Sequence, residues 1–308
     1  MLLFGLLSPD TFLTEVTFTL IIRSGVVTCI LALAFLVPLT AGVYDLSIGS
    51  VMAVSLGLVI YLSLHSDLPT PVTALIAIGA AGLCGALSGF IVVKLHVDSF
   101  IATLGVSQVL AGAVLLMSNN TQLIGQLPDY WSGIGTGDLL GLPRVVYVLL
   151  ILALAMWYVL EFTAVGRYLF ATGGNREAAR LAGVATERVL WSVFVASGVI
   201  AGIAGVVFSM QSSVFSASIG PGYLFPSVAA VFLGASQLSQ RPNVWGTLIA
   251  YFALAFGIQG LALSTASASV WSQPVFQGVS LIVAVAVASR PVVRKLREAK
   301  VDDARGVA

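Results

Sequence analysis

Apolar residues run along the chain in nine blocks, at about 24–42, 48–64, 72–93, 100–118, 144–161, 188–211, 224–238, 244–263 and 270–289. Most come close to the roughly 20 residues that a helix needs to cross a bilayer. The block at 224–238 is short, so the pattern predicts a tilted or broken helix there. Residues 1–7 are apolar but too short to cross, and they lack the basic flank and small-residue cleavage site of a signal peptide. Residues 10–23 read as interfacial, because Asp10, Glu15 and Arg23 interrupt their apolar pattern. The expected fold is all-α: one polytopic transmembrane helix bundle of about nine spans, filling residues 1–308 as a single domain.

Composition supports lipid as the solvent. Hydrophobic residues make up 58% of the chain, charged residues 9%, and the mean hydropathy is +1.04. A soluble domain carries roughly 25% charged residues, so this chain cannot cover a surface of its own with polar groups. The pairs Gly85–Gly89 and Gly198–Gly202 put small residues on one helix face and predict close packing within one bundle. Cys29 and Cys84 fall in apolar blocks and read as small buried hydrophobes. A net charge of +1 gives no reason to expect nucleic acid as a partner.

Lysine and arginine set the orientation. The loop 162–187 holds Arg167, Arg176 and Arg180, with Arg188 at its edge, and the tail 290–308 is also basic. Loops 119–143, 212–223 and 264–269 hold neither residue. The positive-inside rule then places the basic loops in the cytoplasm, with Lys94 and Arg241 on the same side and the N-terminus outside.

What is absent narrows the chemistry. There is no phosphate-binding Gly-x-x-x-x-Gly-Lys-Ser/Thr loop, no cluster of metal-ligating residues and no converging acids and bases. No catalytic residue, metal site or cofactor is expected, and a membrane enzyme is disfavoured. No block carries a carboxylate near its centre, which argues against an ion-coupled carrier. A stand-alone channel or secondary carrier for a small neutral solute is the alternative to a subunit energised by another chain.

The loop 162–187 holds the most informative pattern. Asn175 suits a helix N-cap, Glu177 lies in the first turn where the helix dipole favours an anion, and Gly183 suits a stop. Ala178, Ala179 and Ala182 would give this short helix a small-residue face that fits a groove on a partner. Charge-free spans favour a neutral polar solute. Asp45, Ser47, Phe100, Ser107, Gln108, Gln211, Tyr223 and Gln259 are the candidates for lining its path. Helix–helix hydrogen bonding or packing explains most of them equally well, and Asp45 is as good an N-cap for the helix at 48–64 as a path residue.

Glu177-Ala178-Ala179, followed after three residues by Gly183, resembles the Glu-Ala-Ala loop of binding-cassette importer permeases, the binding-protein-dependent inner-membrane component family. Gly166-Arg167, Gly173-Gly174-Asn175, Tyr44-Asp45-Leu46-Ser47-Ile48-Gly49-Ser50 and Phe100-Ile101-Ala102-Thr103-Leu104-Gly105 resemble the ribose-type, sugar-importing branch. Gly222-Tyr223, Val228 to Gly234 and Gly246-Thr247 follow in the branch's order. Leu224 departs from it, standing where an acidic residue is common, and the loop at 239–243 is one residue short. The resemblance implies a multi-pass permease of the bacterial inner membrane with no catalysis of its own. It implies a separate ATPase subunit, an extracytoplasmic solute-binding protein, and a second permease, either a copy of this chain or a related one. It also implies that Gly173, Asn175, Glu177, Ala178, Ala179 and Gly183 belong to the element that couples to the ATPase.

Overall fold

A computed structural model describes residues 14–238 and 241–264, together with positions 275, 278, 279, 282 and 283. Most of the apolar block at 270–289, the tail 290–308, residues 1–7 and the short loop at 239–240 lie outside the described residues.

The apolar blocks become helices: α1 (Glu15–Thr40), α2 (Ile48–His65), α3 (Thr70–Lys94), α4 (Ser99–Ser118), α5 (Asp129–Thr136), α6 (Arg144–Phe162), α7 (Ala164–Gly174), α8 (Arg176–Leu181), α9 (Thr186–Gln211), α10 (Ile219–Leu238) and α11 (Val244–Ser264). Six of them, α1, α2, α3, α4, α6 and α9, are long and apolar enough to cross a membrane, and α10 and α11 contribute shorter apolar stretches. Of the stretch 10–23, residues 15–23 form the first turns of α1, whose N-cap Thr14 accepts a hydrogen bond from the Thr17 amide, and residues 10–13 lie outside the described residues. The segment at 224–238 belongs to a helix that starts earlier, α10 from Ile219 to Leu238, with Pro226 inside it.

α1 is apolar on all sides, and from Val26 to Leu36 it is buried on all sides; a helix with no polar face belongs in a bundle's centre. α9 is the second central helix and packs most extensively on α3, then on α2 and α1. Across the most apolar window, 78% of α1 and 67% of α9 is buried, against 33% of α3, 28% of α4 and 33% of α6. The last three therefore form the periphery and turn leucine, isoleucine and phenylalanine outward, as lipid contact requires. The predicted glycine pairs meet each other here. A Cβ on Gly198 would lie 3.0 Å from the Cα of Gly85, so these positions let the α3 and α9 backbones touch.

Contacts between connecting segments sort into two sets. At the more basic end Lys94 pairs with Glu187 (3.1 Å), Arg241 pairs with Glu161 (2.8 Å), and the Arg241 guanidinium lies 4.9 Å from the centre of the Phe170 ring. At the opposite end β1 (Leu123–Ile124) pairs with β4 (Val214–Phe215), and β2 (Asp138–Leu139) pairs with β3 (Leu142–Pro143). Both arginines at that end are held, Arg23 by Asp138 at 2.8 Å and Arg144 by the Gly133 carbonyl at 3.2 Å. Each of these contacts joins segments that the lysine and arginine pattern assigns to one side.

The loop 119–143 is more structured than its sequence suggests. With α5 and the two short strand pairs it forms a cap on the less basic end. Trp131 is 5% exposed and donates its indole N–H to Ser209 Oγ at 3.1 Å, anchoring the cap to α9.

Candidate functional site: the 162–187 loop and the Asp45 turn

The loop 162–187 forms two helices rather than one. Asn175 closes α7 and opens α8, and its side-chain oxygen accepts from the Ala178 amide at 2.9 Å. Glu177 sits in the first turn of α8 and pairs with Arg180 at 2.7 Å. Gly183 has φ +87, the left-handed region that a residue without a Cβ enters freely. The Gly183 amide donates to the Arg180 carbonyl and the Val184 amide to the Ala179 carbonyl, so the end of α8 leaves these acceptors satisfied.

The small-residue face divides. Ala178 and Ala182 are exposed, while Ala179 is 5% exposed and turned into the chain's own packing. Leu181 stands 80% exposed beside them. An open cleft of about 1320 Å³ runs from α8 to the ends of α3 and α9, lined by Lys94, Arg176, Glu177, Arg180 and Arg188, with Phe90 and Trp191 on its membrane side. Between Glu187 and Lys94, the hydrogen bond and the nearby positive charge hold the Glu187 carboxyl below its usual range.

The last turn of α7 rests on the turn after α1. A Cβ on Gly173 would run into the Thr40 carbonyl and lie 3.0 Å from the Gly42 amide nitrogen. Gly42 itself has φ +76. Three residues on stands Asp45, with 0% of its surface exposed. Its Oδ1 accepts from the Ser47 amide (3.0 Å) and the Ser47 hydroxyl (2.6 Å), and its Oδ2 accepts from the Ser197 hydroxyl on α9 (2.7 Å). Burial in this connection pushes the Asp45 carboxyl above its usual range, and the bonds from Ser47 and Ser197 pull the other way. The flanking amides are also tied down, with Tyr44 N–H donating to Ser99 Oγ (3.2 Å) and Leu46 N–H to Thr103 Oγ1 (3.0 Å), both on α4.

Asp45 and Ser47, both expected to line a solute path, lie enclosed here. Neither has exposed surface, and their polar atoms bond to each other and to α9. Asp45 is not the N-cap of α2 either; that position falls to Ser47, whose amide Asp45 holds. The other path candidates scatter. Phe100 and Gln108 are exposed on α4, and Ser107 bonds Ser50 across α2 and α4 at 2.8 Å. Gln211 donates to the Arg23 carbonyl at 2.8 Å. Tyr223 and Gln259 share a cavity of about 380 Å³ between α1, α10 and α11. Ser24, Thr28, Gly222, Pro226 and Tyr251 also line it, and among the described residues no charged side chain does. Pro226 has no N–H to offer the Gly222 carbonyl one turn back. Among the described residues no group of His, Cys, Asp and Glu could hold a metal ion.

Comparison with known proteins gives a consistent result. Residues 17–287 match the family model described as branched-chain amino acid transport system / permease component. The ribose import permease protein of Escherichia coli K12 is 32% identical over 286 residues, covering 91% of this chain and 88% of that protein. The fructose import permease protein of Rhizobium meliloti is 31% identical, covering 92% of this chain and 81% of that protein. The autoinducer 2 import system permease protein of Photorhabdus luminescens is 32% identical, covering 85% and 79%. No solved structure matches the chain.

Proposed function

The chain belongs to the branched-chain amino acid transport system / permease component family, and on that premise we propose that it imports a neutral sugar or sugar-like solute, driven by a separate ATPase that docks on α8. It is a membrane permease component of the kind found in sugar importers. The observation that carries the docking is Leu181, 80% exposed at the tip of the loop between α6 and α9, with Ala178 and Ala182 open beside it. A large apolar side chain outside the bilayer, ringed by small residues and charges, marks a surface that a partner covers. The basic end faces the cytoplasm, where the ATPase works, and the capped end faces the solute-binding protein.

The cavity supports the solute class. Ser24, Thr28, Tyr223, Tyr251 and Gln259 offer hydroxyls, an amide and ring faces, which suit a polyol. An amino acid would need partners for two charges, and the described lining residues carry none. The importer works as two permease halves, with this chain as one, in a bundle of about nine spans if the block at 270–289 also crosses. Uptake measurements with a panel of labelled pentoses, hexoses and polyols test the reading. Competition among these solutes is expected, and uptake specific for a phosphorylated or zwitterionic solute contradicts it.

A further inference from the structure

We propose that Asp45 is a positioning residue, carrying movement of the coupling loop into the central helix α9 through its bond to Ser197. The proposal rests on the reading of α8 as the ATPase-docking helix. Gly173, two residues before the Asn175 cap of α8, bears on the backbone of Thr40–Gly42 with no side chain between them. Two main chains in direct contact have little slack, so a push on α8 reaches the turn at 41–47. Within that turn the Asp45 side chain makes the hydrogen bond to α9, its Oδ2 accepting from the Ser197 hydroxyl at 2.7 Å.

The chemistry fits a stiff link. Asp45 is fully enclosed, and its described partners are two hydroxyls and one amide rather than a cation. A carboxylate so placed costs desolvation that an amide would avoid, and in return its hydrogen bonds are stronger than neutral ones. Ser197 lies 11 residues beyond Thr186, the start of α9, roughly 16 Å along the axis at 1.5 Å per residue. α9 is therefore held at its start by the chain running on from α8 and again in its middle by Asp45. Movement of the loop would tilt the helix about these two points rather than draw on one end.

The test is the number of solute molecules imported per ATP hydrolysed, in proteoliposomes carrying the assembled importer, for Asp45→Asn, Asp45→Ala and Ser197→Ala. Ser192→Ala is the control, because Ser192 is exposed on α9 and bonds only within it. Ser197→Ala leaves the Ser47 bonds to Asp45 in place, so the turn keeps its local hold. The ratio should fall about fivefold or more for Ser197→Ala and Asp45→Ala, less for Asp45→Asn, and not at all for Ser192→Ala, with the ATPase still bound in each. Ser197→Ala and Asp45→Ala combined should be no worse than Asp45→Ala alone. An unchanged ratio, with transport and hydrolysis reduced in proportion, would overturn the link and leave Asp45 a packing residue. A parent chain that binds no ATPase would instead overturn the docking reading beneath it.

Discussion

A Cβ placed on Gly42 would lie 3.1 Å from the Cα of Gly173, so the turn after the first described helix and the last turn before α8 meet backbone to backbone. That contact needs a residue without a side chain at both positions. Gly173→Val should force the two turns apart at about 1–3 kcal/mol, the usual range for overpacking. Thermal unfolding in detergent and uptake at matched expression measure it, and both should fall.

If α8 docks the ATPase as proposed, it should tolerate change in the membrane's view and not in the ATPase's. Leu181→Asp, Gly183→Asp and Glu177→Lys all lie outside the spans. Each should leave insertion intact while ATPase copurification drops about 5–150-fold, the effect of losing one central interface contact of about 1–3 kcal/mol. Gly183→Asp adds backbone strain at φ +87 and puts a negative charge beside the helix C-terminus. If all three variants bind the ATPase as the parent does, this loop is not the docking element.

Trp131→Ala should free the cap from the bundle. It deletes a buried indole and the N–H that Ser209 accepts, a loss of about 3–5 kcal/mol by comparison with other buried aromatics. Limited proteolysis applied from the capped side should then cut within 119–143 in the variant and spare the parent.

A topology reporter fused after residue 308 should read cytoplasmic, and one placed before residue 8 should read external. An internal reading at the N-terminus would mean that the number of crossings is off by one.

Most of the helices were legible because lipid demands long apolar runs. The blocks at 48–64, 100–118 and 144–161 reappear within a residue or two as α2, α4 and α6. The start of α1 was obscured because Arg23 breaks the apolar run, and its tolerance there depends on Asp138 from a distant loop. The cap stayed hidden because two-residue strands and an eight-residue helix leave no periodic signal. The α8 caps could be read from Asn175 and Gly183 because capping is local. The role of Asp45 could not, since its bond to Ser197 spans 152 positions. For the same reason hydroxyl and amide residues chosen for a solute path dispersed: a polar residue in an apolar run shows that it needs a partner, not which one.

The most direct test is uptake by the purified importer in proteoliposomes, with ATP and the solute-binding protein supplied separately and together. A labelled neutral sugar should enter only when both are present, with the ATPase bound to the parent chain and its Leu181→Asp variant inactive. Uptake that persists without ATP, or that follows an imposed ion gradient, would contradict the account and identify the chain as a stand-alone channel or carrier.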